Sequence, residues 1–133
     1  MKEFSDDQYC FVCGRENPFG LHLKFEHNPD TQTVSVIKSF PREFQGWHGV
    51  LHGGIISTVL DETMFYAVAH RGIKCVTAEL TVRFKHAAKI DTIYTISADV
   101  TDIRDRLIFT KGKITDPDNK VVATAIGKFI KVE

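Results

Sequence analysis

The chain has 133 residues, enough to bury an apolar core as one domain spanning 1–133 without disulfide or metal staples. Seventeen Lys and Arg offset seventeen Asp and Glu, and the basic residues are scattered, so the sequence lacks the electrostatic footprint of a nucleic-acid-binding protein. No apolar run approaches the roughly 20 residues of a membrane helix, and the opening MKEFSDDQ carries acids where an export signal would be apolar, so no membrane partner and a cytoplasmic location are expected.

Residues 1–20 show little periodicity and end in Asn17-Pro18-Phe19-Gly20, a turn-forming set. Leu21, Leu23 and Phe25 then alternate with His22, Lys24 and Glu26, and after a turn at Pro29-Asp30 the alternation resumes at Thr33-Val34-Ser35-Val36, which predicts a two-strand hairpin. From Phe40 to His52 the chain is rich in Gly, Pro and aromatics without a period and reads as a long loop. Gly53 to Arg71 reads as a helix of about five turns, free of Pro and stopped by Gly72. Ile55, Ile56, Val59, Leu60, Met64, Phe65, Ala67 and Val68 cover most of its circumference, the pattern of a core helix enclosed on nearly all sides.

Beyond Gly72 the period becomes two. Val76, Ala78, Leu80, Val82 and Phe84 fall on one face and Thr77, Glu79, Thr81, Arg83 and Lys85 on the other. Further strands are expected over Thr92–Thr101, Arg106–Thr115 and Lys120–Val132. The sum is an α+β chain in which a curved antiparallel sheet wraps one long central helix, the hotdog architecture. A single curved sheet leaves edges exposed, and the strand after Gly72 has few strong charges, so edge pairing into a homodimer or a larger homo-oligomer such as a tetramer is expected.

An ionised carboxylate in an apolar helix is costly without a partner, so Asp61 is either a nucleophile or general base facing a cleft or an acid on a polar stripe with Ser57, Thr58 and Glu62. His52-Gly53-Gly54 stands at the helix start, where free N–H groups and the positive dipole end favour a developing oxyanion; the plain reading is a glycine-rich helix entry with His52 packed in a turn. Gly53 and Asp61 are roughly 12 Å apart along a helix axis, whereas a reacting carbonyl sits about 3 Å from both nucleophile and oxyanion donor. One helix cannot serve both roles, so using both requires two subunits. Cys10 and Cys13 with His22 and His27 mimic a zinc set, but His22 and His27 have opposite strand parity and the gap after Cys13 is short, so no metal is expected. Three cysteines without an export signal are expected as free thiols, and Glu62, about 100° from Asp61 on the helix, as an acid supporting the site or facing solvent.

The run His52-Gly53-Gly54-Ile55-Ile56-Ser57-Thr58-Val59-Leu60-Asp61 resembles the HGG-x6-D segment of hotdog-fold acyl-CoA thioesterases, in the branch that includes the phenylacetate-pathway (PaaI-like) enzyme. Cys10-Phe11-Val12-Cys13-Gly14, Asn17-Pro18 and Gly20-Leu21 resemble the opening of many bacterial members, and Phe44-Gln45-Gly46 through His52 resembles their loop before the helix. The resemblance implies hydrolysis of an acyl-CoA thioester without a cofactor, with Asp61 attacking or activating water, the Gly53 amide polarising the carbonyl beside His52 and Gly54, and Thr77 holding the water or the carboxylate. Trp47, His48 and Phe65 either line an acyl pocket or simply pack. Arg83, Lys85, His86 and Lys89 either meet the CoA phosphates or form a solvated strand end. Phe65 stands where one branch, which has Glu for Asp61, carries a Thr, so the 4-hydroxybenzoyl-CoA type is disfavoured, and Lys85-His86-Ala87-Ala88 replaces a common Arg-Pro. A hydratase or dehydratase acting on acyl thioesters, and a non-catalytic acyl-CoA-binding module, are the competing functions.

Overall fold

Gly53–Ala69 forms the one long helix, α1, of a computed structural model that describes residues 4–132. Its buried positions are Ile56, Val59, Leu60, Thr63, Met64, Ala67 and Val68, the i, i+3, i+4 stripe that sets one face of a helix against a sheet. His70 caps it and Gly72 follows in the left-handed region at φ 77°. The other face is half-covered: Ile55, Phe65 and Tyr66 there are partly buried and pack against the core. A single copy of the sheet covers a single stripe.

Six antiparallel strands make that sheet: β1 (Glu26–His27), β2 (Val34–Lys38), β3 (Cys75–Phe84), β4 (Tyr94–Arg104), β5 (Leu107–Thr115) and β6 (Val121–Lys131). Their spatial order is β1-β2-β4-β5-β6-β3, so β3 is an edge with β6 as its neighbour. Ile96 and Ala98 of β4, Ile108 of β5 and Ala123 and Phe129 of β6 are buried toward α1, as alternation requires of strands covered on one side. The helix lies so close that a Cβ added at Gly127 would stand 2.8 Å from Thr110 Oγ1 and 3.1 Å from Met64 Cε. No helix among the described residues is long and apolar enough to cross a membrane.

Two expectations fail for identifiable reasons. The strand read over residues 21–26 shrinks to the two residues of β1 because His22 takes a positive φ of 54° and the Leu21 and Leu23 N–H groups donate to Phe11 O and Val12 O, each at 2.9 Å. Leu21 and Leu23 are buried all the same, pinned by the amino-terminal arm instead of a ladder. In β3, pairing with β6 jumps from Thr77↔Phe129 to Glu79↔Lys128, which leaves Ala78 as an extra residue. This bulge inverts the parity of everything before it. Thr77 therefore shares the helix-facing side with Leu80, Val82 and Phe84, not the polar side with Glu79 and Arg83.

Candidate active site

Asp61 stands half-buried on α1, beside the buried stripe and within reach of β3. Its Oδ1 accepts a 2.8 Å hydrogen bond from Thr77 Oγ1, a contact that exists because the bulge turns Thr77 inward. Burial raises the Asp61 carboxyl above its ordinary range, and the Thr77 hydrogen bond works against that rise. The carboxylate is thus held in one orientation, poorly solvated, with its proton affinity increased. Its charge also helps to push the nearby Cys75 thiol up to about 11, after burial as the main cause.

At the other end of the helix, the loop before it is tied down by backbone bonds from His52 N–H to Phe44 O and from Leu51 N–H to Ala88 O, both 2.9 Å. His52 is the N-cap: its Nδ1 accepts from the Gly54 N–H at 2.8 Å. Gly54 therefore has its amide engaged, while the Gly53 N–H makes no hydrogen bond among the described residues. The first-turn amide that points outward is the one at Gly53. It borders a hollow of about 290 Å³ with Val50, Phe84, Lys85 and His86, and the Phe84 ring lies 3.5 Å from where a Gly53 Cβ would be.

The remaining residues singled out from the sequence are not brought to one place. Trp47 is 86% exposed and His48 is exposed, both on the loop before α1. Phe65, one turn after Asp61, packs edge-on against Tyr66 with ring centroids 5.5 Å apart. Arg83 projects into a different and larger groove of about 730 Å³ on the outer side of the sheet, with Lys111, Lys113 and Asp99; Lys85 borders both hollows. Lys111 and Lys113 were open to detection as the outward positions of an alternating strand, and sequence reasoning passed over them. It also missed the surroundings of Glu62: this carboxylate, raised by burial, accepts from the Cys10 thiol at 3.4 Å, and Tyr66 Oη donates to Cys13 Sγ at 3.0 Å. His22 and His27 are elsewhere, on Asn17 O and stacked on His70.

Chemically, one chain offers an oriented carboxylate at the middle of α1 and a free amide at its start. Eight residues of helix separate them by roughly 12 Å.

A family model described as the Thioesterase superfamily matches residues 48–123. Acyl-coenzyme A thioesterase THEM4 of Bos taurus is 27% identical over 125 residues, which cover 92% of this chain and 51% of that protein. The chain spans about half the length of the curated relatives it matches. Among solved structures, one described as a thioesterase superfamily protein superposes with a TM-score of 0.87 at 26% identity, over 92% of this chain and 63% of that one. The PaaI protein from the phenylacetic acid degradation operon of E. coli superposes at 0.76 with 19% identity over 85% of this chain and 81% of its own, a likeness of fold.

Proposed function

The chain belongs to the thioesterase superfamily, as the match over residues 48–123 shows, and from that premise we propose that it hydrolyses an acyl-CoA thioester to the free acid and CoA. The observation that carries the reading is the half-buried Asp61 carboxylate oriented by Thr77 at 2.8 Å. Its raised proton affinity suits a general base. Asp61 takes a proton from water as the oxygen adds to the thioester carbonyl, the oxyanion is held by a Gly53 N–H, and the C–S bond breaks as the departing thiolate takes the proton back from Asp61 and leaves as CoA. No cofactor is needed.

The carbonyl must meet both groups, so each site takes Asp61 and Thr77 from one subunit and Gly53 from the other. The exposed edge β3 supports this arrangement. If two copies pair β3 antiparallel about a two-fold axis near Leu80 and Thr81, Thr77 of one falls opposite Phe84 of the other, and Phe84 is the residue packed beside Gly53. The dimer so formed covers the Asp61 face of α1, and Trp47 and Phe65 then border the acyl group. Lys85 beside the Gly53 hollow, with Arg83 behind, supplies positive charge for the CoA phosphates, and His86 at the same hollow offers a hydrogen-bonding ring. Three cysteines that form no disulfide support a reducing, cytoplasmic setting for this activity.

Mixing two inactive variants tests the shared site. Asp61→Asn lacks the base, and Gly53→Pro lacks the amide N–H at a helix position that tolerates proline. Random exchange makes half of the dimers mixed, each with one intact site of two, so activity returns to about a quarter of wild type. Mixed dimers that form and stay inactive refute the model. Thiol release from acyl-CoA esters separates hydrolysis from hydration of an enoyl-CoA, read by its absorbance, and from binding without turnover.

A further inference from the structure

The arm at residues 10–14 and the helix next to Asp61 meet at a cluster that the thioesterase reading does not use. One atom each from Cys10, Cys13 and Glu62 lie within 4.8 Å of one another. Cys10 and Cys13 sit on a tight turn closed by Gly14 N–H to Cys10 O at 2.9 Å, and only Gly fits there, since a Cβ at Gly14 would stand 2.3 Å from Cys10 N. Donors converge on the two sulfurs: the Val12 and Cys13 N–H groups on Cys10 Sγ at 3.4 and 3.5 Å, and Tyr66 Oη on Cys13 Sγ at 3.0 Å. Neutral thiols are weak acceptors, and two of them have little call for three donors between them, whereas metal-bound thiolates are regularly supported this way. Glu62 adds a carboxylate to the same spot, and the two ion pairs among the described residues lie elsewhere. Donors suited to anionic sulfur, beside a carboxylate that makes no ion pair among the described residues, leave a positive charge wanting at the centre.

We propose that Cys10, Cys13 and Glu62 bind one Zn2+ ion, with water as fourth ligand and Tyr66 hydrogen-bonded to the Cys13 sulfur. Tetrahedral zinc with bonds of about 2.3 Å to sulfur and about 2.1 Å to oxygen places its ligand atoms about 3.6–3.8 Å apart. The Cys10 Sγ to Glu62 Oε2 distance is already 3.4 Å, so side-chain adjustments of about 1 Å complete the set. Two thiolates select a soft or borderline ion, and the carboxylate favours Zn2+ over Cu+. The ion clasps the amino-terminal arm to α1 one residue from Asp61. It acts on the site by fixing the helix, not by touching the substrate.

The test uses the whole protein, kept reduced and free of chelator. Elemental analysis is expected to find one Zn2+ per chain, and Co2+ in its place to show thiolate-to-metal charge-transfer absorption. That absorption is lost in Cys10→Ser and Cys13→Ser and kept in Cys75→Ala, and Glu62→Gln weakens metal affinity by at least about tenfold. In the wild-type protein, Zn2+ shields Cys10 and Cys13 from alkylation, read by mass spectrometry, and its removal speeds tryptic cleavage after the exposed Arg15. Folding of the variants does not affect these last two readouts. Reduced wild-type protein that takes up neither metal stoichiometrically, cobalt absorption that survives loss of either cysteine, or alkylation that is indifferent to Zn2+ overturns the site.

Discussion

Replacing Asp61 by Asn separates chemistry from structure, because the two consequences run in opposite directions. Asn keeps an oxygen where Thr77 Oγ1 donates at 2.8 Å, so the local geometry persists while the base is lost. Removing a positioned general base costs about 10² to 10⁴ in rate, which at 1.36 kcal/mol per decade is about 2.7–5.4 kcal/mol of transition-state stabilisation. Stability follows the other sign. Burial places the folded-state pKa of Asp61 above its unfolded value, so at a pH where the carboxyl is ionised its charge weighs against the folded state, and neutral Asn removes that weight. The expected variant is as stable as wild type or more so, and nearly inactive. Thiol release from a panel of acyl-CoA esters, read with a chromogenic reagent, gives the rate, and equilibrium urea unfolding gives the stability. Turnover within about threefold of wild type on the best ester refutes the role of Asp61, and a marked loss of stability refutes the account of its burial.

Thr77→Ala removes one hydrogen bond to the carboxylate, so activity in the thiol assay should fall by about tenfold, less than for Asp61→Asn, with Thr77→Ser restoring most of it. His52→Ala removes the N-cap of α1 and should lower urea stability by about 1 kcal/mol, while His52→Asn, a good capping residue, should not. Gly127→Ala drives a methyl into Thr110 and Met64 and should cost about 1–3 kcal/mol by the same measurement, because the helix cannot back away from the sheet without opening the core.

The order of elements was legible because each segment repeats its own period over many residues. The span of α1 and its stop before Gly72 follow from local rules, and so do the long strands β4, β5 and β6. Asp61 was legible too, as an acid that an apolar helix would otherwise reject. The cluster at Glu62 was not: Cys10 and Glu62 are 52 residues apart, Cys13 and Tyr66 are 53 apart, and no local pattern links positions so distant. The Cys-x2-Cys spacing of Cys10 and Cys13 is visible along the chain, but the acid beside them lies on a helix that local spacing does not reach. His22 escaped the strand assigned to it because a positive φ in a non-glycine residue leaves no mark on the pattern of apolar residues.

Thr77 shows most directly why an exact site cannot be read from alternation. A strand of ten residues with period two assigns every side chain to a face, and one extra residue inverts the assignment on one side of it. Had β3 kept its register, Thr77 would point away from α1 and the Asp61 carboxylate would lack this donor. Ala78, the residue that the pairing skips, therefore does as much to place the site as the residues that touch it. The bulge also leaves the stretch from Leu80 to Phe84 in regular register with β6, so the part of the edge nearest the Gly53 hollow stays straight enough to take a second strand. One irregularity thus divides β3 into a segment that orients the Asp61 carboxylate and a regular segment that, in the proposed pairing of two copies, would present Gly53 to the carboxylate of the other.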